Sequence, residues 1–182
     1  MRPSPDHRRR GAQEEARDLW ERPRDRGVRT RLLDVPDARV VSLTGDNIEL
    51  VLDLEVRPEQ ERWVRPVSWY VARSAYENVW TPVAITVEDG IVGFAEWAYD
   101  DSDATHCIGG VVVDARHQGK GYGKTGMLAL VAYLRQRPNC EVIALTVHQD
   151  NATARRLYRS LGFVETGERD GDELVMVLPP RP

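Results

Sequence analysis

Val111-Val112-Val113-Asp114-Ala115-Arg116-His117-Gln118-Gly119-Lys120-Gly121-Tyr122-Gly123-Lys124-Thr125-Gly126 passes from an apolar run through a glycine-rich loop into a helical pattern. The run begins at Cys107, and its apolar content predicts a strand buried on both faces. Successive glycines let a backbone turn tightly and aim amide N–H groups at an anion, with the positive end of the following helix behind them. The chain has 25 basic residues, and its two lysines, Lys120 and Lys124, both fall in this segment. A phosphate site is the natural reading; a merely flexible loop is the plainer one.

Spacing discriminates among phosphate ligands. A nucleoside-triphosphate loop requires Gly, four residues, then Gly-Lys-Ser/Thr. Gly123-Lys124-Thr125 supplies the end, but Gln118 stands where the first glycine belongs, so that reading fails. Gly121, Gly123 and Gly126 do form a dinucleotide fingerprint after a strand and at the start of a helix. The acid expected about 20 residues further on has no clean candidate. The dinucleotide reading stays open as a rival.

Outward from this segment, Met127, Leu128, Val131 and Leu134 recur at helical spacing up to Pro138. Glu141–Val147 predicts a strand, Asn151–Leu161 a helix stopped by Gly162, and Leu174–Leu178 a last strand. Toward the N-terminus, Pro82–Glu88 and Ile91–Tyr99 read as strands joined by a hairpin at Asp89-Gly90. Ala38–Leu43 reads as a first strand. Helical stretches follow at about 47–55, at a turn opened by Pro58, and at Ser68–Tyr76. These elements predict a mixed α/β or α+β domain over residues 37–182. Residues 1–36 are polar, charged and broken by proline; they read as a disordered extension with one short helix near Gln13–Glu21.

Composition narrows the class. The 182 residues fit one domain with a core of its own, and two cysteines cannot make a disulfide framework. The longest apolar runs fall far short of the ~18 residues of a membrane span, and the start lacks a secretory h-region. A cytoplasmic protein without a membrane partner is expected. Residues 1–31 hold ten Arg against six acids, leaving 15 basic and 23 acidic residues in the remainder. Such an acidic body disfavours nucleic acid and suits a cationic ligand. His117 and His148 lack metal-ligand spacing, so no metal is expected.

Two further patterns lie in register. Gln118-x-x-Gly121-x-Gly123 resembles the Gln/Arg-x-x-Gly-x-Gly/Ala signature of the GNAT superfamily of N-acetyltransferases. Asn151-Ala152-Thr153-Ala154-Arg155-Arg156-Leu157-Tyr158-Arg159-Ser160-Leu161-Gly162-Phe163 resembles the same superfamily's second signature at its usual distance. The two cover residues 107–165, and the element order extends the likeness over 38–178. Glu59–Val64, Val92-Gly93-Phe94 and Gln118–Gly123 resemble the bacterial spermine/spermidine (diamine) acetyltransferases.

The resemblance implies the GNAT fold, a central mixed, mostly antiparallel sheet flanked by helices, with splayed strands holding the cofactor. It implies direct transfer of acetyl from acetyl-CoA to a primary amine of a small molecule, a polyamine above all. An antibiotic amine or a protein amino group is the rival acceptor, and an acyl-CoA sensor without turnover the rival class. Homodimers are common in the superfamily.

The cofactor would be held by the backbone of Val111, Val112 and Val113 and by Gln118, Gly119, Lys120, Gly121, Tyr122, Gly123 and Lys124, with Asn151 close by. An N–H of the same strand would meet charge developing on the thioester carbonyl. Plain core packing is the other reading of the valines. Tyr158 matches the family's general acid, since a phenol of pKa ~10 stays protonated at neutral pH; by itself it reads as a core tyrosine.

The position where some relatives carry a basic Glu is Thr146 here. Glu96 is the substitute candidate for the base, with an exposed strand carboxylate as its plainer reading. Glu59, Glu61, Glu77, Asp100 and Asp101 are candidates for an acidic lining. Trp63, Trp69 and Trp80 are candidates for aromatic walls.

Overall fold

The computed structural model describes residues 37–180. The expected extension at 1–36, with its short helix, and residues 181–182 lie outside the described residues.

Seven strands form one sheet in the order β1-β2-β3-β4-β5-β7-β6. They are β1 Ala38–Ser42, β2 Thr81–Val87, β3 Gly90–Asp100, β4 Thr105–Val113, β5 Val142–His148, β6 Val164–Asp170 and β7 Glu173–Leu178. Every neighbouring pair is antiparallel except β4 with β5. That topology excludes a doubly wound dinucleotide fold, whose sheet is mostly parallel.

Helices cover both faces. On one, α1 (Ile48–Leu52) and α2 (Val67–Glu77) enclose Val51, Leu54, Val67, Tyr70, Ala84, Phe94 and Val112. On the other, α3 (Tyr122–Arg135) and α4 (Ala152–Ser160) pack Met127, Leu130, Leu134 and Tyr158 against Val83, Ile85, Ile108 and Ile143. The alternation of Val83, Ile85 and Val87 against Ala84 is the period-2 signature of a strand with a core on each side. α3 lies so close to β2 that a Cβ on Gly126 would sit 2.9 Å from Ile85 Cγ2.

Three local expectations change. β6 reads as no strand in the sequence, because Val164–Asp170 is polar and holds Gly167 at φ 85°; pairing with β7 makes it one. Leu128 points to solvent and Leu130 into the core, since 127, 130, 131 and 134 are the positions that share a helix stripe. The β2–β3 turn is made by Glu88-Asp89, with Glu88 at φ 53° and Gly90 already in β3.

β4 carries the departure that matters for the site. Gly93 pairs with Val113 and Phe94 with Val112, but Glu96 pairs with Gly109. Gly110 and Val111 therefore oppose the single residue Ala95, a β-bulge with Gly110 at φ 56°. Parallel pairing with β5 also ends here, at Ile108 with Leu145. Beyond that rung the two strands diverge, and Gly109–Val111 are only half-buried. The expectation of a strand buried on both faces thus holds for its first half and fails where the sheet opens.

Candidate active site

The splay between β4 and β5 opens a cavity of about 660 Å³. Gly109, Gly110 and Val111 line one side, and Thr146, Val147, His148, Asn151, Ala154 and Tyr158 the other. The segment 61–65 and α2 form the roof through Trp63, Trp69, Tyr70 and Arg73, joined by Trp80. Four acids (Glu61, Glu96, Asp170 and Glu173) share the lining with Arg62, Arg65 and Arg73. The expected acidic lining is corrected accordingly: Glu61 belongs to it, whereas Glu59, Glu77, Asp100 and Asp101 do not. The three tryptophans do wall the cavity.

Glu96 is no exposed strand carboxylate. It sits on β3 with its side chain 1% exposed, paired with the guanidinium of Arg73, while Oε2 has no hydrogen-bond partner. Burial pushes its carboxyl up to about 7; Arg73 opposes that rise and Glu77 adds to it. The wall opposite is bare backbone: a Cβ at Gly109 would lie 3.2 Å from Glu96 Oε1, and one at Gly110 would lie 3.3 Å from Glu96 Cγ.

Tyr158 is 7% exposed at the cavity edge, its ring 5.9 Å from that of Phe163. Burial raises its phenol, and the Glu173 carboxylate raises it further, so the hydroxyl stays protonated. Thr146 Oγ1 donates to Glu173 Oε2 at 2.5 Å. Asn151 caps α4, its Oδ1 accepting from the Ala154 amide at 3.1 Å.

The glycine-rich loop lies outside the cavity lining, at the C-terminal end of β4. Asp114, 1% exposed, accepts from the Arg116 amide at 2.8 Å and from its guanidinium at 2.8 and 2.7 Å, which holds its carboxyl near 2. Gln118 Nε2 donates to Val113 O at 2.9 Å and to Gln60 Oε1 at 2.8 Å, tying the 3₁₀ turn Pro58–Gln60 to the end of β4. Gly119 and Gly121 take φ of 80° and 87°, and Gly121 caps α3 without a side-chain bond. Gly119, Lys120, Gly121 and Lys124 are exposed, so the loop that leads into α3 and both lysines of the chain face solvent. Val112 turns into the core beneath α1 and α2, while Val111 faces the cavity.

Comparison with known proteins agrees with this architecture. The model of the acetyltransferase (GNAT) family matches residues 48–163. The chain belongs to that family. It is an N-acetyltransferase whose acetyl donor is acetyl-CoA.

Among relatives of this GNAT acetyltransferase is the spermine/spermidine N(1)-acetyltransferase of Bacillus subtilis, 31% identical over 145 residues, covering 76% of this chain and 95% of the relative. Two solved structures share the fold. A spermidine N-acetyltransferase from Vibrio cholerae in complex with CoA and spermine is 18% identical with a TM-score of 0.64, over 79% of this chain and 96% of that one. An aminoglycoside acetyltransferase in complex with coenzyme A and kanamycin is 20% identical with a TM-score of 0.67, over 79% and 95%.

Of the residues picked from sequence, the fold brings Glu96, Val111, Asn151 and Tyr158 to one cavity and leaves Gln118–Lys124 at the adjoining helix terminus. Sequence reasoning passes over Arg73, Thr146's partner Glu173, and Tyr70. An arginine on an amphipathic helix carries no local mark of a buried carboxylate 23 residues away.

Proposed function

We propose that this acetyltransferase acetylates a primary amine of a small polyamine such as spermidine or spermine, by direct transfer. The observation that carries the reading is the match to a relative named for spermine and spermidine along 95% of that relative's length. Four carboxylates and three tryptophans around the cavity, set against three arginines, support a cationic acceptor.

Acetyl-CoA, when bound, supplies an activated acetyl thioester. The residues present fit it. The exposed loop Gly119-Lys120-Gly121 at the start of α3, with Lys120 and Lys124 beside it, suits its phosphates. β4 from Gly109 to Val111, unpaired with β5, offers free backbone for the pantetheine arm to join as an added strand. Gln118 acts by holding that turn in place through Gln60 and Val113.

Glu96 takes a proton from the substrate ammonium, leaving a neutral amine and a carboxylic acid; a carboxyl poised near 7 is suited to that exchange at neutral pH. Bonding of the amine nitrogen to the acetyl carbon would break the carbon–sulfur bond, and the second proton the nitrogen must shed as the amide forms would restore the Tyr158 hydroxyl. Tyr158 donates its hydroxyl proton to the departing sulfur, a task for which its raised phenol keeps it protonated.

A thiol-release assay with acetyl-CoA against spermine, spermidine, putrescine, an aminoglycoside and a lysine peptide tests the reading. Selective turnover of the polyamines is expected. Preference for the aminoglycoside or the peptide would discard the polyamine while keeping the family.

A further inference from the structure

The roof of the cavity already holds a cation. The Arg73 guanidinium carbon lies 4.8 Å from the Trp69 ring centre and 5.0 Å from that of Trp80. Its terminal nitrogen is bonded to Glu96. Two aromatic faces and a buried carboxylate form a cage of the kind that binds ammonium ions. The cage contains the one group the proposed reaction must expose, since Glu96 can accept a proton only from a donor that reaches it. Glu96 lines the cavity, and its Oε2, buried and without a hydrogen-bond partner, has capacity for one more donor.

Arg73 also has a second place to go. It lies on α2 one turn before Glu77, whose carboxylate is 3.7 Å from Arg73 Nε, and the Glu77 side chain is 52% exposed. Arg73 Nε makes no hydrogen bond where it stands. A modest rotation of the side chain toward Glu77 would keep the guanidinium paired and empty the cage.

We propose that Arg73 is a built-in competitor of the acceptor: its guanidinium fills a cation cage of Trp69, Trp80 and Glu96, from which an incoming ammonium displaces it toward Glu77. This rests on the reading that the acceptor is a cationic amine. The exchange replaces one cation by another, so the charge balance around Glu96 is preserved until the proton moves. It also sets specificity. An uncharged acceptor cannot offset the lost Arg73–Glu96 pair, whereas a primary ammonium can.

Calorimetric titration of spermidine into the full chain without acetyl-CoA tests the competition apart from turnover. Arg73→Ala is expected to bind spermidine about tenfold tighter than wild type. Glu77→Gln, which removes the landing carboxylate, is expected to bind it several-fold more weakly. Arg73→Met keeps an apolar stem against Trp69 and serves if the alanine variant unfolds. In the wild-type protein, phenylglyoxal should modify Arg73 faster with spermidine present, read by peptide mass spectrometry.

Equal or weaker binding by both Arg73 variants, no binding by any form, or protection of Arg73 by spermidine would overturn the proposal. Polyamine turnover alongside unchanged affinity in the variants sinks the competitor and spares the function. Tighter binding without polyamine turnover does the reverse.

Discussion

The guanidinium of Arg73 and the carboxylate of Glu96 meet across the gap between α2 and β3, with the arginine side chain 22% exposed and the glutamate 1%. Ionised carboxylates are rarely buried without a partner, because desolvation penalises the charge. Arg73 offsets that penalty only in part, and the Glu96 carboxyl still rises to about 7. The pair therefore keeps a titrating group at neutral pH beside the stretch of β4 that no longer pairs with β5.

The pH dependence follows. In its proposed role Glu96 would serve as a base only when ionised, so acetyl transfer should rise with pH through about 7 and level off above it. In Glu96→Gln the rate should fall about 10²-fold or more and lose this acid limb. Stability moves the other way. The folded value exceeds the unfolded one, so the contribution is full below the unfolded pKa and lost as pH rises through about 7. Melting temperatures should therefore shift in favour of Glu96→Gln, relative to wild type, between about pH 5 and about pH 8. A difference that stays constant with pH would contradict the assignment.

Tyr158→Phe removes a buried hydroxyl without changing the ring that packs beside Phe163. The fold should persist, with kcat reduced about 10²-fold and the KM for acetyl-CoA little changed. Steady-state thiol release, with circular dichroism as the control, measures both. Full activity in the variant would remove Tyr158 as the proton donor.

Gly110→Ala tests the bulge. The residue would adopt φ 56° with its Cβ 3.1 Å from Tyr70 Cδ1 and 3.3 Å from Glu96 Cγ. Strain of roughly 1–2 kcal/mol is expected in urea unfolding, together with a large loss of activity as Glu96 is pushed aside. Gly45→Ala, where a Cβ meets nothing within 4 Å, should be nearly silent in both assays.

Asp114 joins the end of β4 to Arg116 and accepts from the Glu55 amide at 3.5 Å. Asp114→Asn should lower stability at neutral pH by roughly 1–3 kcal/mol. The folded carboxyl is held near 2, below its ordinary value, so its contribution is present above the unfolded pKa and lost as pH falls through about 2. The gap between variant and wild type should close in acid, which unfolding curves at several pH values would show.

The glycine-rich loop and the Asn151–Phe163 segment were readable because their information is local. A glycine at positive φ, an asparagine cap and an apolar stripe are each dictated by residues within a turn or two. The same locality explains what stayed hidden. β6 carries charged residues and Gly167, and it is a strand only because β7 lies beside it. Leu128 and Leu130 compete for one stripe, and packing against the sheet settled which is buried.

The family, most of the element order, and the glycine-rich loop and Tyr158 as candidates for the site were written in the chain as short-range patterns. The meeting of Arg73 with Glu96, the cage around them and the opening between β4 and β5 were decided by the tertiary structure. Each depends on strand register: one extra residue in β4 sets Gly110 and Val111 against the single residue Ala95 beside Glu96, and the end of pairing at Ile108 and Leu145 opens the cavity. Register is a property of two strands at once, and no single stretch of sequence contains it.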